Sequence, residues 1–371
     1  MSDNEAALAR AVLIHGPLSR RELTTRLGLS PASLTRLAKP LLDSGLLVEL
    51  DDIADGSIGR PSRPLDIAPN SGCFIGMKLT GDGLYAVRTD IRADLLAEHE
   101  RPIPDRDPDA VVGEVAAAVT ALGADGLVGV GLGLGGNVHD GVVRHAPFLG
   151  WGEVDLGARL EQAIGAPVTV ENDLVALTEA ERWFGAGRGL PGFITITIGA
   201  GVGYGLVVGG QVVRTLDAIV GTGGHLPLDP YGPLCSEGHR GCSQAMLSSG
   251  SIAAQVSAAL GRPVDYDETL RLASAGEPAA RAVVAGAGIA LGRMIALAAN
   301  LSLQADVVLA GEGIGLFALA ETEIRDAIRA GRSADAAEIT IHVDETGFRA
   351  WARGAAAVAI QSAMARMRGA R

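Results

Sequence analysis

Three apolar runs in this chain end or break on glycine, and they restrict it to a fold built on buried strands. They are "LVGVGLGLGGNV" at 127–138, "GFITITIGAGVGYGLVVGG" at 192–210 and "ADVVLAGEGIG" at 305–315. A short apolar run without alternation fits a strand covered on both faces, and glycine after it allows a tight turn or a close approach to a ligand. Glycine supplies 51 of the 371 residues, about twice its usual share. It falls between apolar runs rather than in a low-complexity tract, so these are turns and ligand loops. "PVTVEND" reads as another strand, with "LVALTEAERWFG" the amphipathic helix after it. Helices are expected over roughly 278–300, near 316–330 and from about 351, with a strand at "AEITIHV". From about residue 72 strand and helix alternate, which is the pattern of an α/β body.

The first 70 residues follow different rules. "EAALARAVLIHGPL" has helical apolar spacing and stops at Gly16-Pro17. Ser19 with Glu22 three residues on is a capping box, and Ser30-Pro31 suits the start of a further helix. Gly28 allows the turn between the two. Leu34, Leu37 and Leu41 form a stripe on that helix, which ends at Gly45. "LLVEL" and "SRPLDI" read as two short strands joined by a polar loop. Helix, short helix, four-residue turn, helix and ribbon make a winged helix-turn-helix, whose second paired helix enters the major groove. Ser33, Thr35 and Arg36 lie on its polar side, Arg20 and Arg21 open the preceding helix, and Arg60 and Arg63 flank "PS" in the wing. Arg36 is positioned for a base edge, Arg20 and Arg21 for phosphate, and the wing arginines for a minor groove.

Charge agrees with that division. The chain carries a net −12, yet residues 1–70 hold eight basic and nine acidic side chains, and residues 15–40 hold five cations against Glu22 alone. An acidic body argues against nucleic acid binding over the whole surface and confines it to the head. No run of about 18 uninterrupted apolar residues occurs, and the N-terminus lacks a signal peptide's basic-then-apolar order, so a cytoplasmic protein without membrane contact is expected. There a disulfide is disfavoured. The stretch "GHLPLDPYGPLCSEGHRGC" at 224–242 contains two of the three cysteines and two of the seven histidines, a cluster of metal-site or catalytic character.

Taken in order, "GLSPASLTRLAKPLLDSGLL", "GLGLGGNV", "APFLGW", "END", "GAGVGYG", "GH" and the cysteine loop resemble the ROK family (repressors, open reading frames and sugar kinases), specifically its transcriptional regulators. The resemblance covers nearly the whole chain. It implies a winged helix-turn-helix over 1–70 and, over 71–371, a two-lobed body of the actin/hexokinase-like (ribonuclease H-like) ATPase fold. It also implies a carbohydrate pocket formed by the Gly135-Gly136 turn, Asn172, Asp173 and His225. Phe148 stands there in place of an asparagine, and Gln244 in place of a glutamate after the last cysteine. The family's zinc loop is a His followed by C-x-C-G-x-x-G-C. Here His225, Cys235 and Cys242 match and Glu237 replaces the middle cysteine, so His239, or alternatively Glu237, would complete a structural zinc site.

Kinases of this family position a phosphoryl group with two loops. In "FIGMKLTGDG" at 74–83 the first loop's glycine pair is missing and Lys78 stands near its acidic residue. The second survives as "GAGVGYG", with Ala200 where a hydroxyl is usual. Asp173 matches the general base but is expected to bind ligand without catalysis. The resulting expectation is a sugar-responsive regulator, a repressor of carbohydrate-metabolism genes. It would act as a dimer or dimer of dimers on an inverted-repeat operator. The alternatives are a sugar kinase carrying a DNA-binding head, and a head that makes protein contacts only.

Overall fold

The computed structural model of the chain describes residues 1–51, 63–69, 71–215 and 222–369. The N-terminal part is α1 (Asp3–His15), α2 (Arg20–Leu27), α3 (Pro31–Asp43), β1 (Leu47–Glu49) and β2 (Leu65–Ile67). Ser2 with Glu5 and Ser19 with Glu22 form capping boxes that satisfy the first amides of α1 and α2. Ser30 caps α3 and Pro31 opens it. Only three residues link α2 to α3, because Gly28 ends α2 in the left-handed region (φ 63°) and Ser30 already serves as the next cap. The buried stripe of α3 is Leu34, Ala38 and Leu41, with Leu37 half-buried. Strands β1 and β2 pair antiparallel, Leu47 opposite Ile67.

The first lobe contains β3 (Cys73–Leu79), β4 (Gly83–Thr89), β5 (Leu95–Pro102), α4 (Pro108–Leu122), β6 (Leu127–Leu134), the small sheet β7 (Asn137–His139), β8 (Val142–His145) and β9 (Val154–Asp155), then α5 (Leu156–Ile164), β10 (Val168–Asn172) and α6 (Asp173–Phe184). The second contains β11 (Phe193–Ile198), β12 (Val202–Val208), β13 (Gln211–Val212), a 3-10 turn (Thr222–His225), α7 (Ser243–Leu247), α8 (Ser249–Leu260), α9 (Tyr266–Ser274), α10 (Pro278–Ser302), β14 (Asp306–Ala310), α11 (Leu316–Ala330) and β15 (Thr340–Val343). The chain then returns to the first lobe as α12 (Phe348–Gly369).

Both lobes have the same sheet. The orders are β10-β6-β3-β4-β5 and, read from its parallel side, β15-β14-β11-β12-β13. In each, the first strand is central, an antiparallel pair extends one side, and two parallel strands extend the other. Helix α10 is long and apolar enough to cross a membrane by length and composition alone. Here Ala287, Leu291, Met294 and Ile295 bury it in the second lobe's core.

Helix α12 joins the parts. Its Ala352, Ala355 and Ala356 lie so close to the first sheet that a Cβ at Gly76 or Gly131 would strike helix backbone. On α12 itself, a Cβ at Gly354 would meet the Leu177 amide of α6 at 2.8 Å. Further along, Ala359, Ile360, Ala363 and Met364 share one core with Leu8, Val12, Leu23, Leu34 and Leu65 of the N-terminal part. Arg92 reinforces this junction, pairing with Asp66 of β2 and reaching the Val12 carbonyl at 3.3 Å.

Candidate functional site

At the first lobe's edge, β6 runs into Gly135-Gly136 and β10 runs into α6, bringing Gly135, Phe148 and Asp173 together. A Cβ at Gly135 would lie 3.3 Å from the Phe148 ring and 3.5 Å from Asp173 Oδ2. Phe148 is 54% exposed and forms an open wall. Asn172, expected to contact ligand, is otherwise engaged. Its Oδ1 accepts the Val175 amide at 3.1 Å as the cap of α6, and its Nδ2 donates to the Gly136 carbonyl at 2.9 Å. Gly136 likewise answers to packing, since a Cβ there would meet the His145 carbonyl and Ala146 of the small sheet.

Asp173 has an unexpected partner. Its Oδ1 accepts the Leu174 amide at 2.8 Å, and its Oδ2 pairs with the Lys78 ammonium. Both side chains are nearly enclosed, 10% exposed for Lys78 and 13% for Asp173, and the ammonium lies 4.8 Å over the Trp351 ring. Lys78 is one of only two lysines in the chain and sits inside an otherwise apolar strand. That position was the available hint of a paired function.

The glycine turn between β11 and β12 is also filled from within. Glu312 Oε1 accepts the Ala200 amide at 2.7 Å, and the same carboxylate occupies the space that a Cβ at Gly199 would need. Gln244, expected in the carbohydrate pocket, instead donates to the Ala200 carbonyl at 3.3 Å and lies near Gly224. As the second residue of α7, just after Cys242, it faces this loop. His225 stands on the second lobe in the neighbouring 3-10 turn.

The cysteine loop gathers four donors. His225 Nδ1 lies 3.7 Å from Cys235 Sγ, 3.7 Å from Cys242 Sγ and 3.1 Å from His239 Nδ1, and Cys235 Sγ lies 3.6 Å from His239 Nδ1. Zinc at its usual bond lengths in a tetrahedron needs donor separations of about 3.3 to 3.8 Å, which these nearly match. Glu237 Oε1 is 3.2 Å from the other ring nitrogen of His225, on the far side from the sulfurs. Burial pushes the Cys242 thiol up. Desolvation also raises Cys235, but the Glu237 and His239 amides outweigh it and draw that thiol below its ordinary range.

On the N-terminal part, Arg21, Thr35, Arg36 and Lys39 are exposed and Ser33 is half-buried. The Thr35 hydroxyl donates to the Pro31 carbonyl, and the Ser33 hydroxyl accepts from Ser30. Arg20, expected to face phosphate, turns to the ribbon and bonds Glu49, which also attracts Arg63 at 4.0 Å. Placement at the first position of α2 directs Arg20 toward β1. Arg60 lies outside the described residues.

A polar network runs behind the pocket. Arg214, after β13, pairs with Glu171 and Glu179; Glu179 also receives Arg182 and, at 3.0 Å, Gln361 of α12. Glu171 is two residues from Asp173. The network therefore links the pocket, the second lobe and the helix that carries the N-terminal part. Sequence reasoning missed it because its members are far apart in the chain.

Known proteins resemble this arrangement. The chain is 27% identical over 316 residues to the DNA-binding transcriptional repressor Mlc of Escherichia coli, covering 80% of this chain and 78% of that protein. It is 28% identical over 332 residues to the DNA-binding transcriptional dual regulator NagC of the same species, with 83% and 80% covered. A solved ROK family transcriptional regulator, a homologue of E. coli Mlc, superposes with a TM-score of 0.81 over 98% of both chains at 24% identity. A ROK family glucokinase from Streptomyces griseus, in complex with glucose and AMPPNP, gives a TM-score of 0.68 at 26% identity, over 78% of this chain and 100% of its own. The body is thus the two-lobed hexokinase-like fold. The ROK family pattern matches residues 74–362, and this chain belongs to the ROK family.

Proposed function

We propose that this protein is a sugar-responsive DNA-binding transcriptional repressor, acting without phosphoryl transfer. The observation that carries this reading is that two groups a phosphotransfer cleft needs, a carboxylate base and a phosphate-binding amide, are engaged from within. A general base must be free to take a hydroxyl proton, and Asp173 is held by Lys78 and the Leu174 amide. A nucleotide phosphate needs backbone N–H groups at a glycine turn, and the Ala200 amide is taken by Glu312.

Residues 1–70 form the DNA-binding domain, a winged helix-turn-helix, and 71–371 the effector-binding and oligomerisation body. Arg21, Arg36 and the wing around Arg60 and Arg63 contact DNA, and a dimer or dimer of dimers reads an inverted repeat. A carbohydrate rests on Phe148 between the lobes, beside Gly135, Asp173 and Lys78. Closing the lobes around it shifts α6 and α12, and the shared core passes that shift to the DNA-binding domain. The ligand acts by binding one arrangement better than the other. Structural zinc is held by His225, Cys235, His239 and Cys242, and Glu237 orients the His225 ring through its other nitrogen. The protein works in the cytoplasm.

The test is a pair of assays on the full chain. Retention of duplex DNA at low salt, without turnover of ATP on a panel of hexoses and amino sugars, is the expected result. Turnover that disappears in Asp173→Ala would establish a sugar kinase with a DNA-binding head. Failure to retain DNA would leave a head that makes protein contacts only.

A further inference from the structure

We propose that Arg188, on the crossover between the two lobes, is a positioning residue that couples lobe geometry to the DNA-binding head by holding the last turn of α1; this rests on the effector reading above. A helix ends with carbonyls that have no partner inside it, and cations are favoured beside them. Two arginines of the body serve that end of α1. Arg92, in the turn between β4 and β5, reaches the Val12 carbonyl at 3.3 Å. Arg188 reaches the Ile14 carbonyl at 3.5 Å. His15, the last residue of the helix, is half-buried there. Burial, then the charges of Arg26 on α2 and of Arg188, hold its imidazole below its ordinary range. Arg188 therefore stands beside the residues that lead from α1 into the paired helices α2 and α3.

The two arginines differ in what carries them. Arg92 belongs to the first lobe and also pairs with Asp66 of the head. Arg188 lies in "GAGRGLP" at 185–191, the segment that leads from α6 into β11 of the second lobe. The near end of this segment is fixed. Trp183 belongs to the core shared with the head, and Arg353 of α12 donates to the Phe184 carbonyl at 3.2 Å. The far end belongs to the second lobe. Leu190 packs on Phe193, Val207 and Val308, and the Pro191 carbonyl accepts the Gly210 amide at 2.7 Å. Between the two ends the Arg188 amide donates to the Gly185 carbonyl and the Leu190 amide to the Gly187 carbonyl, each at 3.1 Å, and Gly189 takes φ 86°. Rotation of the second lobe about this segment moves Arg188 relative to Arg92. A hydrogen bond already at its long limit is broken by a small displacement. Arg92 then keeps the head attached while Arg188 sets its orientation.

The experiment uses the full chain and a duplex that it selects from a random pool, and needs no sugar. Hydrogen exchange of the segment 185–191 is followed with and without saturating duplex. Coupling is reciprocal, so in the native protein the duplex should slow exchange at the Arg188 and Leu190 amides at least about threefold. Arg188→Ala, a change at an exposed residue, should lose that response, and Arg188→Lys, which keeps charge and donors, should retain most of it. A residue that only stabilised α1 would lower the melting temperature when replaced and leave the response intact. The salt dependence of DNA binding should be the same in Arg188→Ala and in the native protein. A slope reduced by about one in the variant would make Arg188 a phosphate contact and overturn its positioning role. A bound duplex that leaves exchange in the native segment unchanged overturns this inference and leaves the effector reading standing, as does a full response in Arg188→Ala. Failure of the native chain to retain any duplex overturns this inference and the effector reading together.

Discussion

Replacing Glu312 by alanine should open the glycine turn of the second lobe to nucleotides. In the native chain the Glu312 carboxylate accepts the Ala200 amide at 2.7 Å. A phosphate oxygen seeking the same N–H would have to sit beside that carboxylate. At about 4 Å, two unit negative charges repel by roughly 1 kcal/mol in water-like surroundings and about 4 kcal/mol at an effective dielectric near 20. Glu312 is exposed, so the lower part of that range applies, and the variant should bind ADP at least about fivefold more tightly. The lost hydrogen bond should cost about 1 kcal/mol of stability. Calorimetry with magnesium and ADP, alongside a thermal melt, reads both effects. Phosphorylation of sugar should not appear, because Lys78 still engages Asp173. A native protein that binds ADP as tightly as the variant would refute the reasoning, since the turn would then not be blocked.

Other perturbations follow from the same geometry. Native protein purified without chelator should contain about one zinc per chain; Cys242→Ser should lose it and His239→Ala should lose more than Glu237→Ala, as read by metal analysis. Arg36→Ala should relax preference at one base position, at about 1–3 kcal/mol, whereas Arg21→Ala should weaken all sequences alike and flatten the salt dependence. Titrations on specific and scrambled DNA at two salt concentrations check this. Burial raises the Glu181 carboxyl above its ordinary value of 4.5, only partly offset by the Ala186 amide. The folded state therefore holds that proton more tightly than the unfolded chain, and stability falls as pH rises above the ordinary value. Glu181→Gln should gain on the native protein in that direction and match it at lower pH, as measured by denaturant unfolding across pH.

What could be read from the sequence was what neighbours in the chain decide. Helix α11 was expected near 316–330 and runs Leu316–Ala330, because its apolar spacing and flanking glycines are local. The cysteine loop was legible for the same reason: its donors, apart from His225, fall within eight residues. Pairings across the fold were not. Lys78 was noted as a departure from the kinase loop, but its union with Asp173 spans 95 residues. Gln244 and Arg20 were assigned to ligand and phosphate by position alone. Their actual partners, the Ala200 carbonyl and Glu49, depend on how α7 meets the β11–β12 turn and how α2 meets the ribbon. The repeated sheet order also escaped notice, since the lobes share topology without an obvious shared motif.

The central claim is that a carbohydrate in the body changes the affinity of the protein for DNA. Duplexes selected by the full chain from a random pool supply the target, and fluorescence anisotropy then measures binding with and without each hexose and amino sugar. The account predicts that at least one of them shifts DNA affinity several-fold. By linkage, saturating DNA should shift that ligand's own affinity by the same factor. Selected DNA whose affinity is indifferent to every ligand that the body demonstrably binds would contradict it.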